Sequence, residues 1–411
     1  MTQMNANESV SNSDLDSQRE FRFLSYLALP HVAILIGAGL SFFAWMLPAV
    51  GGAGKGFIAT DTEFHEVLWT VTAYLGLAAA SAAGYYIGIP LSRRIPTSNV
   101  QRHAHLSATN AWTAFIIVGS IGVAFALLKV VGGLGLSGCI NAILSFRANG
   151  MKAVLYTDYN LGLLSLRYIS ILAGGVAVYR YLAYREVSLK TIVSIGLLMV
   201  VAVMSSRLSI IWAAVIGGTA YVLAPIADGK RRIGTVELLS WGTVFLVLVG
   251  ALTISRTYGY YQKRGANTFV AAIGTEFQRY LAAPFQGSIE AVNHSSRRSR
   301  LTDLAGIDTE LTTNSALLDL AKIYGGWNVT ILAATLFASG LACGMLRRFR
   351  STYLVLLLGV LQSCHLEIWR ILMFPKGLTF TLLAAAFIFP MVLCFVSFPT
   401  LKLPTIRVRV T

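Results

Sequence analysis

Residues 189–227 read LKTIVSIGLLMVVAVMSSRLSIIWAAVIGGTAYVLAPIA, two apolar runs (189–205 and 207–227) that meet at Ser205-Ser206-Arg207 with almost no loop. As a tight hairpin they are two helices of roughly membrane-crossing length, about 20 residues each. As one long bent helix they would put every later segment on the opposite side of the membrane. The distribution of charge decides for the hairpin.

Working outward, apolar segments also fall at 26–49, 67–90, 111–134, 162–183, 235–255, 326–346, 352–374 and 377–399, which makes ten in all. Loops rich in Lys and Arg stay cytoplasmic. Arg93, Arg94 and Arg102 follow the second segment, and Arg180, Arg185 and Lys190 follow the fourth. Lys230-Arg231-Arg232 follow the sixth, Arg347, Arg348 and Arg350 the eighth, and Lys402, Arg407 and Arg409 the tenth. Every even-numbered exit is basic, as ten spans with both termini cytoplasmic require.

Composition agrees. The 411 residues are 55% hydrophobic and 12% charged, with mean hydropathy +0.66, against roughly a quarter charged in soluble proteins. A soluble enzyme, a nucleic-acid-binding module and a disordered protein are excluded. The net charge of +15 is read as orientation rather than as a sign of a nucleic-acid partner. Cys139, Cys343, Cys364 and Cys394 form no C-x-x-C pair and read as packing residues. Residues 1–20 lack the basic start and apolar core of a signal peptide.

The fold class expected is therefore an all-α integral membrane protein. Its parts are a disordered cytoplasmic tail (1–25), seven transmembrane helices (26–255), a large periplasmic loop (256–325), three more helices (326–399) and a cytoplasmic tail (400–411). The earlier outer loop, near 135–161, is Gly-rich (GGLGLSG) and carries Arg147. In the large loop Phe269, Ile273, Phe277 and Tyr280 recur at helical spacing, and Pro284 is read as ending that helix; 314–324 is a weaker amphipathic stretch. Gly84-x-x-x-Gly88 and Gly340-x-x-x-Gly344 read as close helix packing.

Topology does not explain the basic outer side. Arg167 lies just inside the fourth segment, Arg207 opens the sixth and Arg256 closes the seventh; Arg264 and Arg279 sit in the large loop. The ninth segment ends LQSCHLEIWRILMF, where Glu367 and Arg370 are three apart and can pair. Charges at membrane depth are costly, and several guanidiniums converging there suggest a pocket for an anion such as pyrophosphate. Tyr280 and other outer aromatics offer flat apolar faces with polar edges, which suit a sugar. Acid–base candidates on that side are Glu276, Glu290, His294, Asp303, Asp308, Glu310 and Asp319, with Glu276 the first choice of base and His294 the second. Asp61-x-Glu63 and Asp308-x-Glu310 are weak cation-site patterns, and His103-x-His105 has no acidic companions; no metal site is expected.

The ten segments, the late outer loop, the outer arginines and the passages SSRLSIIWAAVIGG, ISRTYGYYQKRG, FQRYLAAPFQGS and IYGGWNVTILAATLFASG resemble the Wzy-type oligosaccharide repeat-unit polymerases of O-antigen and exopolysaccharide synthesis. The resemblance covers most of 140–375. It implies a fold like the C-type integral-membrane glycosyltransferases and polymerisation of undecaprenyl-pyrophosphate-linked oligosaccharides at the periplasmic face of the inner membrane. It implies no cofactor and no obligatory metal; a chain-length regulator protein and membrane lipids are further partners. Carried over, the functional arginines are Arg147 in the earlier loop and Arg256, Arg264 and Arg279 in the later one, with Arg207 at a span entry. Some members place a glycine sixteen positions after the loop arginine; here position 163 is Leu. The alternatives are an O-antigen ligase, which needs a loop histidine such as His294, and a C-type lipid-phosphate-sugar transferase using Asp61 and Glu63. A non-enzymatic flippase, with paired helix breaks near mid-membrane, is a third.

Overall fold

The computed structural model describes residues 25–47, 62–93, 108–157, 162–223, 233–262, 268–294, 315–347, 352–395 and 405–407. Among the described residues the chain is all-α apart from one short strand pair. In order, α1 is Pro30–Met46, α2 Phe64–Ser92, α3 Ala108–Leu144, α4 Asn149–Tyr156 and α5 Ile169–Tyr184. After β1 (Glu186–Ser188) come α6 Leu189–Met204, α7 Leu208–Leu223, α8 Thr235–Gln262 and α9 Phe269–Asn293. Then follow α10 Ala316–Tyr324, α11 Asn328–Leu346, α12 Thr352–Leu366, α13 Gly377–Phe395 and β2 Thr405–Arg407. Each of the ten apolar segments contains a helix. Four stretches (Phe64–Ser92, Asn110–Leu144, Leu163–Tyr184 and Ala316–Leu346) are long and apolar enough to cross a membrane, and six apolar helices are shorter.

The 189–227 stretch is two helices broken at Ser205 and Ser206. On α5, Gly174 faces Ala213 of α7 and Val178 faces Gly217, so α5 and α7 run parallel. With α6 returning from α5 through the short β1, α6 and α7 form the hairpin. β1 pairs antiparallel with β2, Glu186 opposite Arg407, so the loop after α5 and the C-terminal segment share one end of the bundle.

The Gly-x-x-x-Gly motifs pack against each other. A Cβ on Gly84 would run into the Phe337 carbonyl and one on Gly88 into the Leu341 carbonyl. Conversely, Gly340 lies on the Ser81 carbonyl and Gly344 on that of Tyr85. Apolar helices gain little by hiding from lipid, so close backbone approach and van der Waals contact hold such pairs together. The register also makes α2 and α11 parallel.

Three boundaries differ from the sequence reading. Helix α3 continues past the glycine-rich stretch to Leu144, interrupted only at Gly135 (φ 70°, ψ 163°), a left-handed conformation open to glycine. Pro284 does not end α9 but lies inside it; the cost is the hydrogen bond its missing N–H would have given the Tyr280 carbonyl. The ninth segment stops being helical at Leu366, and Glu367–Lys376 is a turn and irregular chain before α13. Its backbone finds partners: the Tyr74 hydroxyl donates to the Trp369 carbonyl (3.4 Å) and the Thr379 hydroxyl to that of Met373 (2.7 Å). Non-helical backbone inside a membrane bundle requires such burial in protein. Gly37 of α1 leaves room for the Trp369 ring.

This break joins two apolar cores. One gathers α5, α7 and α12 around Trp212, Leu172 and Val360, and the other gathers α1, α2, α9, α10 and α11 around Phe285, Leu317 and Leu336. Met373 belongs to the first, Ile368 and Trp369 to the second, and Phe374 packs on both.

Candidate functional site

Helix α9 lies against α1 and α2 through polar contacts of its own. The Ser41 hydroxyl donates to the Leu281 carbonyl (2.5 Å) and the Trp45 indole to Gln286 (2.7 Å). The Tyr74 and Ser288 hydroxyls meet at 2.9 Å, and the Asn293 amide donates to the Glu66 carbonyl (3.1 Å). The Phe285 ring packs between Phe42 and Trp45. The other face of α9 thereby presents Glu276 and Tyr280 to the boundary between the two cores.

Two guanidiniums arrive there from distant parts of the chain. Arg207, at the hairpin turn before α7, donates from Nη2 to Glu276 (3.0 Å) and from Nη1 to the Thr253 hydroxyl of α8 (2.7 Å). Arg370, in the break after α12, donates from Nε (3.0 Å) and Nη2 (2.5 Å) to one oxygen of Glu367. The Tyr280 ring serves both, with the Arg370 guanidinium 4.5 Å and the Arg207 guanidinium 5.6 Å from its centroid. Trp369 meets the same ring edge-on at 6.2 Å. Glu276, Glu367 and Arg370 are buried.

Two arginines are thus balanced by two glutamates, as burial demands of charges. A guanidinium has five N–H donors, and those just named leave others on each arginine. Tyr280 lies on α9, outside the ten apolar segments; burial pushes its phenol up to about 12, so it is a neutral hydroxyl at pH 7. Among the described residues no three His, Cys, Asp or Glu side chains gather as a metal site would require.

The expected residues divide. Arg207, Glu276, Tyr280 and Arg370 meet in this cluster, and the Glu367–Arg370 pair forms although its backbone is a turn rather than a helix. Arg167 is fully buried elsewhere: it donates to the Leu164 carbonyl and, at 2.7 Å, to the Tyr168 hydroxyl. Tyr168 bonds Tyr156 (2.8 Å), which bonds Ser205 (3.2 Å), two residues before Arg207. Arg147 is exposed on the turn after α3, beside Gly259. Arg256 and Arg279 lie on α8 and α9, but their side chains fall outside the described residues, as do all of Arg264, Asp61, Asp303, Asp308 and Glu310.

His294 does not join the cluster. It sits at the C-terminal end of α9, where its ring meets Glu66 of α2 at 3.0 Å. Eighteen residues of helix separate it from Glu276, about 27 Å at the α-helical rise, so the two cannot serve one reacting hydroxyl. His294 is 51% exposed at its side chain, and such pairs contribute about 0–1 kcal/mol. His294→Ala is expected to leave thermal stability unchanged; a melting temperature several degrees lower would contradict this placement.

Thr253 was not legible as a site residue. A hydroxyl inside the apolar run VLVGALTI is the only signal, and it is weak. No family model, curated protein or solved structure matches the chain.

Proposed function

We propose that this protein polymerises undecaprenyl-pyrophosphate-linked oligosaccharide repeat units into O-antigen or exopolysaccharide at the periplasmic face of the bacterial inner membrane. One observation carries the reading: Arg207 and Arg370, 163 positions apart in sequence, stand on one tyrosine ring between two cores of a helical bundle. In this reading α9 lies on the periplasmic side and the β1–β2 end is cytoplasmic. The spare donors of Arg207 and Arg370 take the oxygens of the diphosphate, whose charge grows as it leaves. The bond from the anomeric carbon to the phosphate oxygen breaks as the acceptor hydroxyl attacks that carbon. The hydroxyl proton passes to Glu276, and direct displacement inverts the anomeric centre.

A second reading draws on the broken helix. The irregular Glu367–Lys376 segment between apolar helices is a device that membrane transporters use at their binding sites, and a flippase for the same lipid would have it. Deleting the gene separates the two. Loss of a polymerase leaves single-repeat chains on the surface acceptor, and loss of a flippase leaves none outside. A third outcome, polymer retained on the lipid carrier, would establish a ligase and overturn the proposal.

A further inference from the structure

We infer that the turn at Ser145–Arg147, docked on α8, forms with Tyr258 and Phe269 a subsite for the glycan portion of the substrate, its occupant the sugar chain rather than the lipid. The inference rests on the polymerase reading for the identity of the glycan. Its observations are independent of the Arg207–Arg370 cluster.

Phe146 holds a left-handed backbone (φ 55°), which a bulky residue adopts only when its surroundings enforce it. What enforces it is visible. The Phe146 amide donates to the Ile143 carbonyl (3.1 Å) and that of Arg147 to the Ala142 carbonyl (2.8 Å), closing a tight turn at the end of α3. The turn lies on α8 at Gly259, where a Cβ would come within 3.0 Å of the Ser145 carbonyl and 3.2 Å of Arg147 Nε. So placed, the Phe146 ring meets Tyr258 (5.9 Å, 86°) and Phe269 (5.9 Å, 65°), while the Tyr258 and Phe269 rings lie 4.2 Å apart, tilted at 34°.

The rings are not used up by packing: Phe146 is 37% and Phe269 46% exposed. Arg147 beside them is exposed too, with no carboxylate at ion-pair distance among the described residues. Aromatic faces beside an uncompensated guanidinium suit a ligand with apolar C–H faces and hydroxyl or carboxylate edges, which is a sugar. A polyprenyl tail would gain nothing from the charge. Phe269 also begins the helix that carries Glu276 two turns later, about 10 Å along its axis. A chain leaving the diphosphate site along α9 would reach these rings.

The test uses the full-length protein in lipid nanodiscs. The probes are the lipid-free oligosaccharide released by mild acid from the organism's own surface glycan, and undecaprenyl diphosphate, which carries no sugar. Phe146→Gly suits the test because glycine adopts the same backbone without strain; Phe269→Ala is the second variant. Both should weaken oligosaccharide binding about tenfold, as loss of a ring contact predicts, and leave undecaprenyl diphosphate binding as it was. Unchanged oligosaccharide affinity in either folded variant overturns the subsite, as does weakening confined to the lipid probe. If instead Arg207→Ala leaves undecaprenyl diphosphate binding intact, the polymerase reading fails and the oligosaccharide result still judges the subsite.

Discussion

Arg207→Met is expected to cost about 3 kcal/mol of stability, the scale for breaking a buried ion pair from one side, and to abolish long glycan chains. The reason is local. Glu276 is 5% exposed and loses its ion pair with Arg207, and Thr253 loses the hydrogen bond from Arg207 Nη1. The informative comparison adds Glu276→Met. Replacing both members of a buried pair with apolar side chains is often neutral, so the double variant should recover much of the melting temperature in detergent while still making no polymer. Chains of normal length from the folded double variant would show that the pair is scaffold only.

The second large effect lies away from the site. Gly84→Leu should prevent α2 and α11 from closing, because its side chain would occupy the space of the Phe337 carbonyl and the Leu341 amide. A backbone obstacle cannot rotate aside, so the cost should reach or exceed the upper end of the roughly 1–3 kcal/mol usual for overpacking. Gly76 on the same helix has nothing within 4 Å of its Cβ position. Gly76→Leu should therefore accumulate like the parent while Gly84→Leu does not. Equal yields of monodisperse protein from the two would refute the packing described for this pair of helices.

Much of the bundle could be read from sequence because its determinants are local. Apolar runs located the helices, and four-residue glycine spacing marked the faces on which α2 and α11 pack closely, though not that they pack on each other. Spacing also found Glu367–Arg370, since an i, i+3 pair meets in a helix or in a turn. The failures have physical causes as well. Pro284 reads as a helix end by its local chemistry, but contacts from Ser41, Trp45 and Tyr74 hold α9 together across it. The ninth segment carries Glu367 and Arg370 but no Gly or Pro at its break, and the partner that the freed Trp369 carbonyl finds is Tyr74, almost 300 residues earlier.

The site divides in the same way. That arginines in apolar surroundings need polar partners was legible from the cost of placing them there. Which of them would meet was not. Arg207 reaches Thr253 and Glu276 across 46 and 69 residues, and no pattern of spacing encodes such contacts. Arg167 has the same sequence signature as Arg207, yet it is buried among Tyr168 and Tyr156 instead.

In the proposed reaction Arg207 and Arg370, held on the Tyr280 ring, grip a polyprenyl diphosphate. A cryo-EM map of the full-length protein in nanodiscs with undecaprenyl diphosphate tests it most directly. Two phosphates should lie within hydrogen-bond reach of both guanidiniums. Phosphate density at the β1–β2 end, or against the lipid-facing surface with the Arg207–Glu276 and Arg370–Glu367 pairs undisturbed, would contradict it.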